Sequence, residues 1–483
     1  MRSLLPLRVV PFLLCLAPVL AAADSPAAAP GAPVLTSRGL VGVGRLPHNL
    51  RDKFGETFGS FSALAFQPGS WRRQADGSYT GTLLAQPDRG YNGSSTSNYV
   101  PRLNILTVHF VPAAAGAATQ DQASLTLSDT IRYTDSTGTP LTSLDPTPAG
   151  AGSRPGFPAL PQAFNGRVSL DAEGVAINPD GTHWVSDEYG PYLYKFSRDG
   201  KMLAAIRPPE AFIPKRHGAD SFAANNPGRG QPAPDPAEPD TGRQNNQGFE
   251  GLGLSPDGRA LFALLQSATR QDGGNGGSSP RGNTRLLVYD LGGATPALTA
   301  EYVLPLPTFP QKGAARVAAQ SDLLVLSNTR ILVLARDSNV GHGTTAASVY
   351  RKVVAYDLAG ATNIANTPFD QPEHPVAPKG VLDSSIKPAT RTECLDLNDA
   401  AQLARFGLHN GAPDDANNLS EKWEGMALVP ALDPSAPDDW FLFIGNDNDF
   451  LTTQGFQDGA DYKAEIDSDN MVLVFKVTLA SRR

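Results

Sequence analysis

Three segments of the chain share one short pattern, a Glu-Gly pair opening an apolar run. They are DAEGVAI at 171–177, GFEGLGL at 248–254 and KWEGMAL at 422–428, and they place Glu173, Glu250 and Glu424 at matching positions. Each run is followed by a turn and a second apolar run that ends in polar residues: Asp187 and Glu188 in SDEYGP, Gln266 in LLQSAT, Asp447 and Asp449 in GNDNDF. Asp88 in QPDRG and Asp337 in LVLARD take the same place in weaker copies of the pattern. Carboxylates gathered in one place repel each other, and bound cations or raised pKa values relieve the repulsion. Oxygen-only donors suit hard cations, Ca²⁺ above all, because it accepts six to eight oxygens in flexible geometry. Asp88, Asp187, Asp337, Asp447 and Asp449 are therefore the metal candidates. Glu173, Glu188, Glu250 and Glu424 are the catalytic candidates, as general base or ligand. Adjacent residues of a strand face opposite sides, so only one of Asp187 and Glu188 faces such a site directly; Asp187 reads as the structural member and Glu188 as the site member. The 446–449 run lacks the spacing and terminal glutamate of an EF-hand loop; an Asx-rich turn is its plain structural alternative. For each Glu-Gly, the plain alternative is a glycine needed for a bulge or a close approach.

Basic residues stand beside these acids. Arg89 follows Asp88 and Arg336 precedes Asp337, while Arg270 and Lys422 lie beside the repeat cores. An arginine fork matches phosphate oxygens, which makes Arg89 and Arg336 substrate-binding candidates; ion pairing with the neighbouring acids is the alternative. His342, in the loop NVGHG, is the third candidate for substrate binding. His183 precedes Trp184 on a strand and reads as structural.

Other chemistries find no support. A net charge of −8 disfavours nucleic acid as a partner. There is no G-x-S-x-G elbow and no H-E-x-x-H zinc spacing. No Gly-rich dinucleotide fingerprint stands between a strand and a helix. Cys394 has no second cysteine outside the N-terminal leader, so it reads as a buried free thiol and no disulfide framework is expected.

The elements that must position these residues are short strands. Runs such as LNILTVHFVP, RALFALLQS, RILVLARD and MVLVFKVTL have strand length and are separated by turn residues. Repeats of about 40 residues or more, with three to four strands each, imply β-propeller blades. Five blades are visible, at 60–133, 170–207, 247–306, 316–366 and 421–478. The expected fold is an all-β propeller of about five to seven blades, nominally six with one hidden in the inserts; a β-sandwich is the rival. The run 36–46 is placed to close the last blade. Segments 217–247, 271–284, 361–385 and 407–420 read as loop insertions, the first with little that could enter a core, and 395–406 reads as a helix. Residues 1–23 have a basic start, an apolar run and an Ala-Ala-Ala end, the pattern of a cleaved secretory signal. Residues 24–39 then form a flexible lead-in and 40–483 one domain. No later run is long and apolar enough to span a membrane as a helix.

These motifs also carry a resemblance. SALAF at 62–66, QPDRG at 86–90, DAEGVAI, SDEYGPYLYKF at 186–196, GFEGLGLSPDG, LVLARD at 332–337, KWEGMAL and GNDNDF at 445–450 occur in the order of the phytase-like family, described as esterase-like activity of phytase. The chain is similar to that family from about residue 40 to 478. The resemblance implies a secreted or periplasmic β-propeller and hydrolysis of phosphate esters. Members often show Glu-Arg-Asp where this chain has Ala335-Arg336-Asp337, which removes one carboxylate here. The leading expectation is a monomeric, Ca²⁺-dependent phosphoric ester hydrolase taking a small-molecule substrate. The alternatives are a non-enzymatic Ca²⁺-stabilised binding propeller and a propeller carboxylic-ester hydrolase or lactonase.

Overall fold

Five antiparallel sheets stand as blades around one axis, each with four main strands, and the first carries an added two-residue strand, Arg72–Arg73. The computed structural model describes residues 34–114, 116, 119–273, 281–311, 313–344 and 346–480. Residues 1–23, expected to be a secretory signal, lie outside them. From inner to outer strand, blade I comprises Ala63–Phe66, Tyr79–Gln86, Arg102–Phe110 and Ala123–Arg132. Blade II comprises Ala172–Ile177, His183–Asp187, Leu193–Phe196 and Met202–Ile206. Blade III comprises Phe249–Leu254, Ala260–Leu265, Asn283–Asp290 and Ala297–Pro305. Blade IV comprises Ala319–Ser327, Arg330–Arg336, Arg351–Asp357 and Thr390–Asp396. Blade V comprises Lys422–Pro430, Asp439–Asp447, Asn470–Leu479 and, outermost, Leu35–Leu46. The N-terminal strand thus closes the ring, pairing from Leu35 against Leu479 to Leu46 against Asn470. It starts inside the stretch expected to be a flexible lead-in, because Leu35 is already buried.

The inner strands contact one another in the cyclic order I–II–III–IV–V–I, so five blades complete the circle and the nominal sixth has no place. The insertions contribute two-stranded hairpins and short turns instead, among the described residues. Blade IV has its outer strand beyond the 361–385 insertion, where the sequence boundary at 366 left it out. The helix expected at 395–406 shrinks to Ala400–Ala404, with Asp399 accepting from the backbone N–H of Ala401 and Gln402. Residues 395–396 belong to the strand because Leu395 packs into the core between blades IV and V. The 217–247 insertion is also less inert than its composition: Phe222 and Arg243 are buried, and Arg243 donates to the carbonyls of Tyr189 and Phe222. Cys394 is a half-buried free thiol.

The core consists of apolar layers between successive blades. Leu103 and Tyr194 join blades I and II, Trp184 and Leu261 join II and III, and Phe262 and Val333 join III and IV. Leu332 and Leu442 join IV and V, and Leu83 and Phe443 join V and I. Gly174 shows how closely the inner strands approach. A Cβ there would lie 2.4 Å from the Glu250 carbonyl oxygen and 2.8 Å from the Leu252 nitrogen. These are backbone atoms that cannot swing aside. Gly174→Ala is expected to cost about 1–3 kcal/mol in urea unfolding, the usual penalty of overpacking; an unchanged midpoint would contradict this packing.

His183 is buried against Tyr133 and Phe196, and its Nε2 has no partner. Burial pushes its pKa down from 6.5 to about 4. The folded pKa lies below the unfolded one, so the associated stability is full above pH 6.5 and is lost as pH falls from 6.5 toward 4. The loss amounts to about 3 kcal/mol. His183→Phe keeps the ring stack and has no such loss. The stability gap between variant and parent is expected to widen in favour of the variant from pH 7 to pH 4.5; a constant gap would contradict it.

Candidate functional site

Antiparallel pairing sets the start of each inner strand beside the end of the second strand, so both sets of acids meet at one end of the channel. The pairing slips at each Glu-Gly: between Ala172 and Val175 in blade II, Phe249 and Leu252 in III, and Trp423 and Gly425 in V. Such bulges re-aim side chains, and they leave glycines where Gly174, Gly251 and Gly425 each press on the next inner strand. The plain alternative for glycine therefore holds, and it coexists with a gathering of the glutamates. Blade IV has the same slip between Gln320 and Asp322. There Asp322 replaces the glycine, and its carboxylate accepts from the backbone N–H of Met426 in the next blade at 2.7 Å.

Two groups of carboxylates result. Asp88, Asp447 and Asp449 have oxygens within 4.8 Å of one another, and so do Asp171, Glu173 and Glu188. Glu250 and Glu424 stand beside them. Burial pushes Glu173 and Glu250 well above the usual carboxylate range, and the neighbouring acids push the same way. Burial, then the charge of Asp171, takes Glu188 up to about 8. Three buried oxygens have no hydrogen-bond partner: Asp171 Oδ1, Glu188 Oε1 and Glu250 Oε2. The other Glu250 oxygen accepts from the Gln266 side chain.

Three cations answer these acids. Lys422 Nζ lies 3.1 Å from Asp447 Oδ2 and 2.7 Å from Asp449 Oδ1. Burial opposes the lysine's charge, but Asp447 and Asp449 outweigh it and raise its pKa. Arg89 Nη1 lies 2.8 Å from Asp171 Oδ2 and also donates to Asn246. Arg336 Nη2 lies 2.5 Å from Glu424 Oε1, with its Nε on Ser321. Arg89 and Arg336, expected to grip phosphate, are thus ion-paired within the protein, which is the alternative reading of both.

Two metal candidates are spent elsewhere. Asp187 accepts from the backbone N–H of Tyr189 at 2.9 Å and of Gly190 at 2.8 Å, holding the turn that follows its strand. Burial takes its pKa up to about 7. Asp337 accepts from the Ser348 hydroxyl at 2.6 Å and from the Val349 N–H at 2.7 Å. Neither belongs to a carboxylate group. Both ring nitrogens of His342 are engaged, Nδ1 with Asp414 and Nε2 with the Asp467 carbonyl, each at 3.0 Å. Its ring helps wall a cleft of 720 Å³ with Tyr91, Asp449 and Glu465. Asp449 belongs to both cleft and acidic mouth, so the cleft is the approach to the mouth. Farther along the channel, the inner strands enclose a 190 Å³ cavity walled by Leu64, Val175, Leu252, Leu323 and Met426 together with Asp322.

Asp171 is a mouth residue that the motifs do not single out, and Lys422, noted beside the repeat cores, pairs with the acids there. Each stands two residues before a Glu-Gly glutamate, in D-A-E-G and K-W-E-G, and the strand period of two was the available signal. The third copy has Gly248 there, because a Cβ would lie 2.3 Å from the Glu188 carbonyl oxygen.

The site's donors are oxygens throughout, several are unpartnered, and this suits a hard divalent cation. Residues 56–450 match the phytase-like family, described as esterase-like activity of phytase. The chain is also 42% identical over 452 residues, 86% of its own length and 88% of the relative's, to a protein of Arthroderma benhamiae described as an uncharacterized secreted protein.

Proposed function

Since the chain belongs to the phytase-like family, we propose that it is a secreted, metal-assisted hydrolase of phosphate esters working at the acidic channel mouth. The observation that carries this reading is the buried carboxylate group of Asp171, Glu173 and Glu188, two of whose oxygens lack a donor, in a mouth that Asp449 links to an open cleft. Asp171, Glu173 and Glu188 would hold the ion, Ca²⁺ by the chemistry of the donors. When bound, such an ion supplies charge to a phosphoryl oxygen and acidifies a water. Glu250, fixed by Gln266, is set to take a proton from the attacking water. Lys422 offsets the charge of Asp447 and Asp449 at the edge of the cleft, which lowers the repulsion that an anionic ester would meet there. Arg89 and Arg336 keep Asp171 and Glu424 in place rather than forming the phosphate fork. Secretion is supported by the signal-like leader and by the description of the Arthroderma relative.

A panel of phytate, an aryl phosphate, an aryl acetate and a lactone tests the reaction class. Phosphate release from either of the first two is expected. Turnover confined to the acetate or the lactone would replace the phosphate reading by a carboxylic-ester one. A melting temperature that rises with Ca²⁺, without turnover of any ester, would leave a binding propeller.

A further inference from the structure

The two carboxylate groups of the mouth differ in one respect. Asp88, Asp447 and Asp449 already contain a cation, the Lys422 ammonium, at 3.1 Å from Asp447 and 2.7 Å from Asp449. Asp171, Glu173 and Glu188 have a cation at one edge only, the Arg89 guanidinium on Asp171. Arg89 covers only the Oδ2 side of Asp171, while Asp171 Oδ1 and Glu188 Oε1 have no N–H donor and the two carboxyls face each other. A separate observation points into the same group. Glu250, from the neighbouring blade, is 3% exposed and has an unpartnered Oε2, while its other oxygen is fixed by Gln266. Glu188 and Glu173 are among its close electrostatic neighbours.

Building on the reading of the mouth as a metal site, we propose that each chain takes one hard divalent cation, at Asp171, Glu173 and Glu188, with Glu250 beside it. Lys422 is a tethered cation that fills the second group and keeps a metal out of it. Ca²⁺ needs oxygens at about 2.3–2.6 Å. An ammonium bonded to two of the three carboxylates of the second group occupies that volume and repels a divalent ion at short range. The inequality has a visible origin in the repeat. The position two before the Glu-Gly glutamate is Asp171 in blade II, adding a ligand, and Lys422 in blade V, adding a charge of the opposite sign.

Equilibrium dialysis of the protein against Ca²⁺ alone reads this directly, with circular dichroism confirming the fold of each variant. The parent is expected to bind one ion per chain. Lys422→Met, which empties the second group of its ammonium, is expected to bind two. Glu188→Gln is expected to bind none. Asp449→Asn, a change at a half-exposed residue of the lysine-filled group, is expected still to bind one. Two ions or none in the parent, retention of one in Glu188→Gln, or loss of the ion in Asp449→Asn would each overturn the assignment. A folded Lys422→Met that stays at one would overturn the role given to the lysine; should that variant not fold, the Glu188 and Asp449 variants decide where the ion sits. One bound ion without turnover of any ester leaves this inference standing and removes the hydrolase reading. Turnover with no bound ion does the reverse.

Discussion

Glu188→Gln should lower phosphate-ester hydrolysis by about 10²–10⁴-fold, the span typical of a positioned acid, base or equivalent site group, while raising the melting temperature of the metal-free protein. The two signs belong together. Glu188 is buried among Asp171, Glu173 and Glu250, and gathering those charges costs stability that a neutral amide does not. Sites of this kind trade stability for function. The backbone should not respond, since the Glu188 N–H donates to the Asp171 carbonyl at 3.0 Å and Gly248 packs on the Glu188 main chain. Initial rates, and thermal melts in chelator, check both halves. A variant that loses activity and melting temperature together would show Glu188 to be a structural prop.

Arg336→Met should destabilise the fold by about 3–5 kcal/mol, because it strands the buried Glu424 carboxylate without its partner. Glu424 is 3% exposed, so water cannot replace the guanidinium. The double variant Arg336→Met/Glu424→Leu should recover much of the loss, since an apolar pair of similar volume often matches a buried ion pair. Denaturant unfolding of the single and double variants checks this. If Arg336→Met leaves stability intact and only weakens binding of a phosphate ester, the arginine is a substrate residue after all.

Much of this architecture is legible in the sequence for one physical reason: each blade solves the same packing problem, so the same residues recur. Glu-Gly recurs because the inner strand bulges where it meets its neighbour, as at Gly174, and the recurrence located three blades and three glutamates at once. Blade number was harder to read. The outer strand of blade IV follows a long insertion, and composition alone does not tell an insertion from a degenerate blade. Strand ends were harder still. At the end of the second strand of blade IV, Arg336 faces the mouth and pairs with Glu424, while Asp337 turns away to Ser348. In blade II Glu188 faces the mouth, while Asp187 holds the turn. In blade V, Asp447 and Asp449 are two residues apart and reach the same group. Alternation states that neighbours diverge, but only the turn geometry fixes which of them points inward. Asp171 is not legible in the motif because it lies just before the strand that begins at Ala172; a count of two back from the glutamate reaches it, as it reaches Lys422.

The acidic mouth is proposed to cleave phosphate esters with the help of a bound cation. Orthophosphate release from phytate and from an aryl phosphate, before chelation, after chelation and after return of Ca²⁺, tests it most directly. Release that stops in chelator and returns with Ca²⁺ is the predicted result. No release under any condition, or release indifferent to chelator, would contradict it.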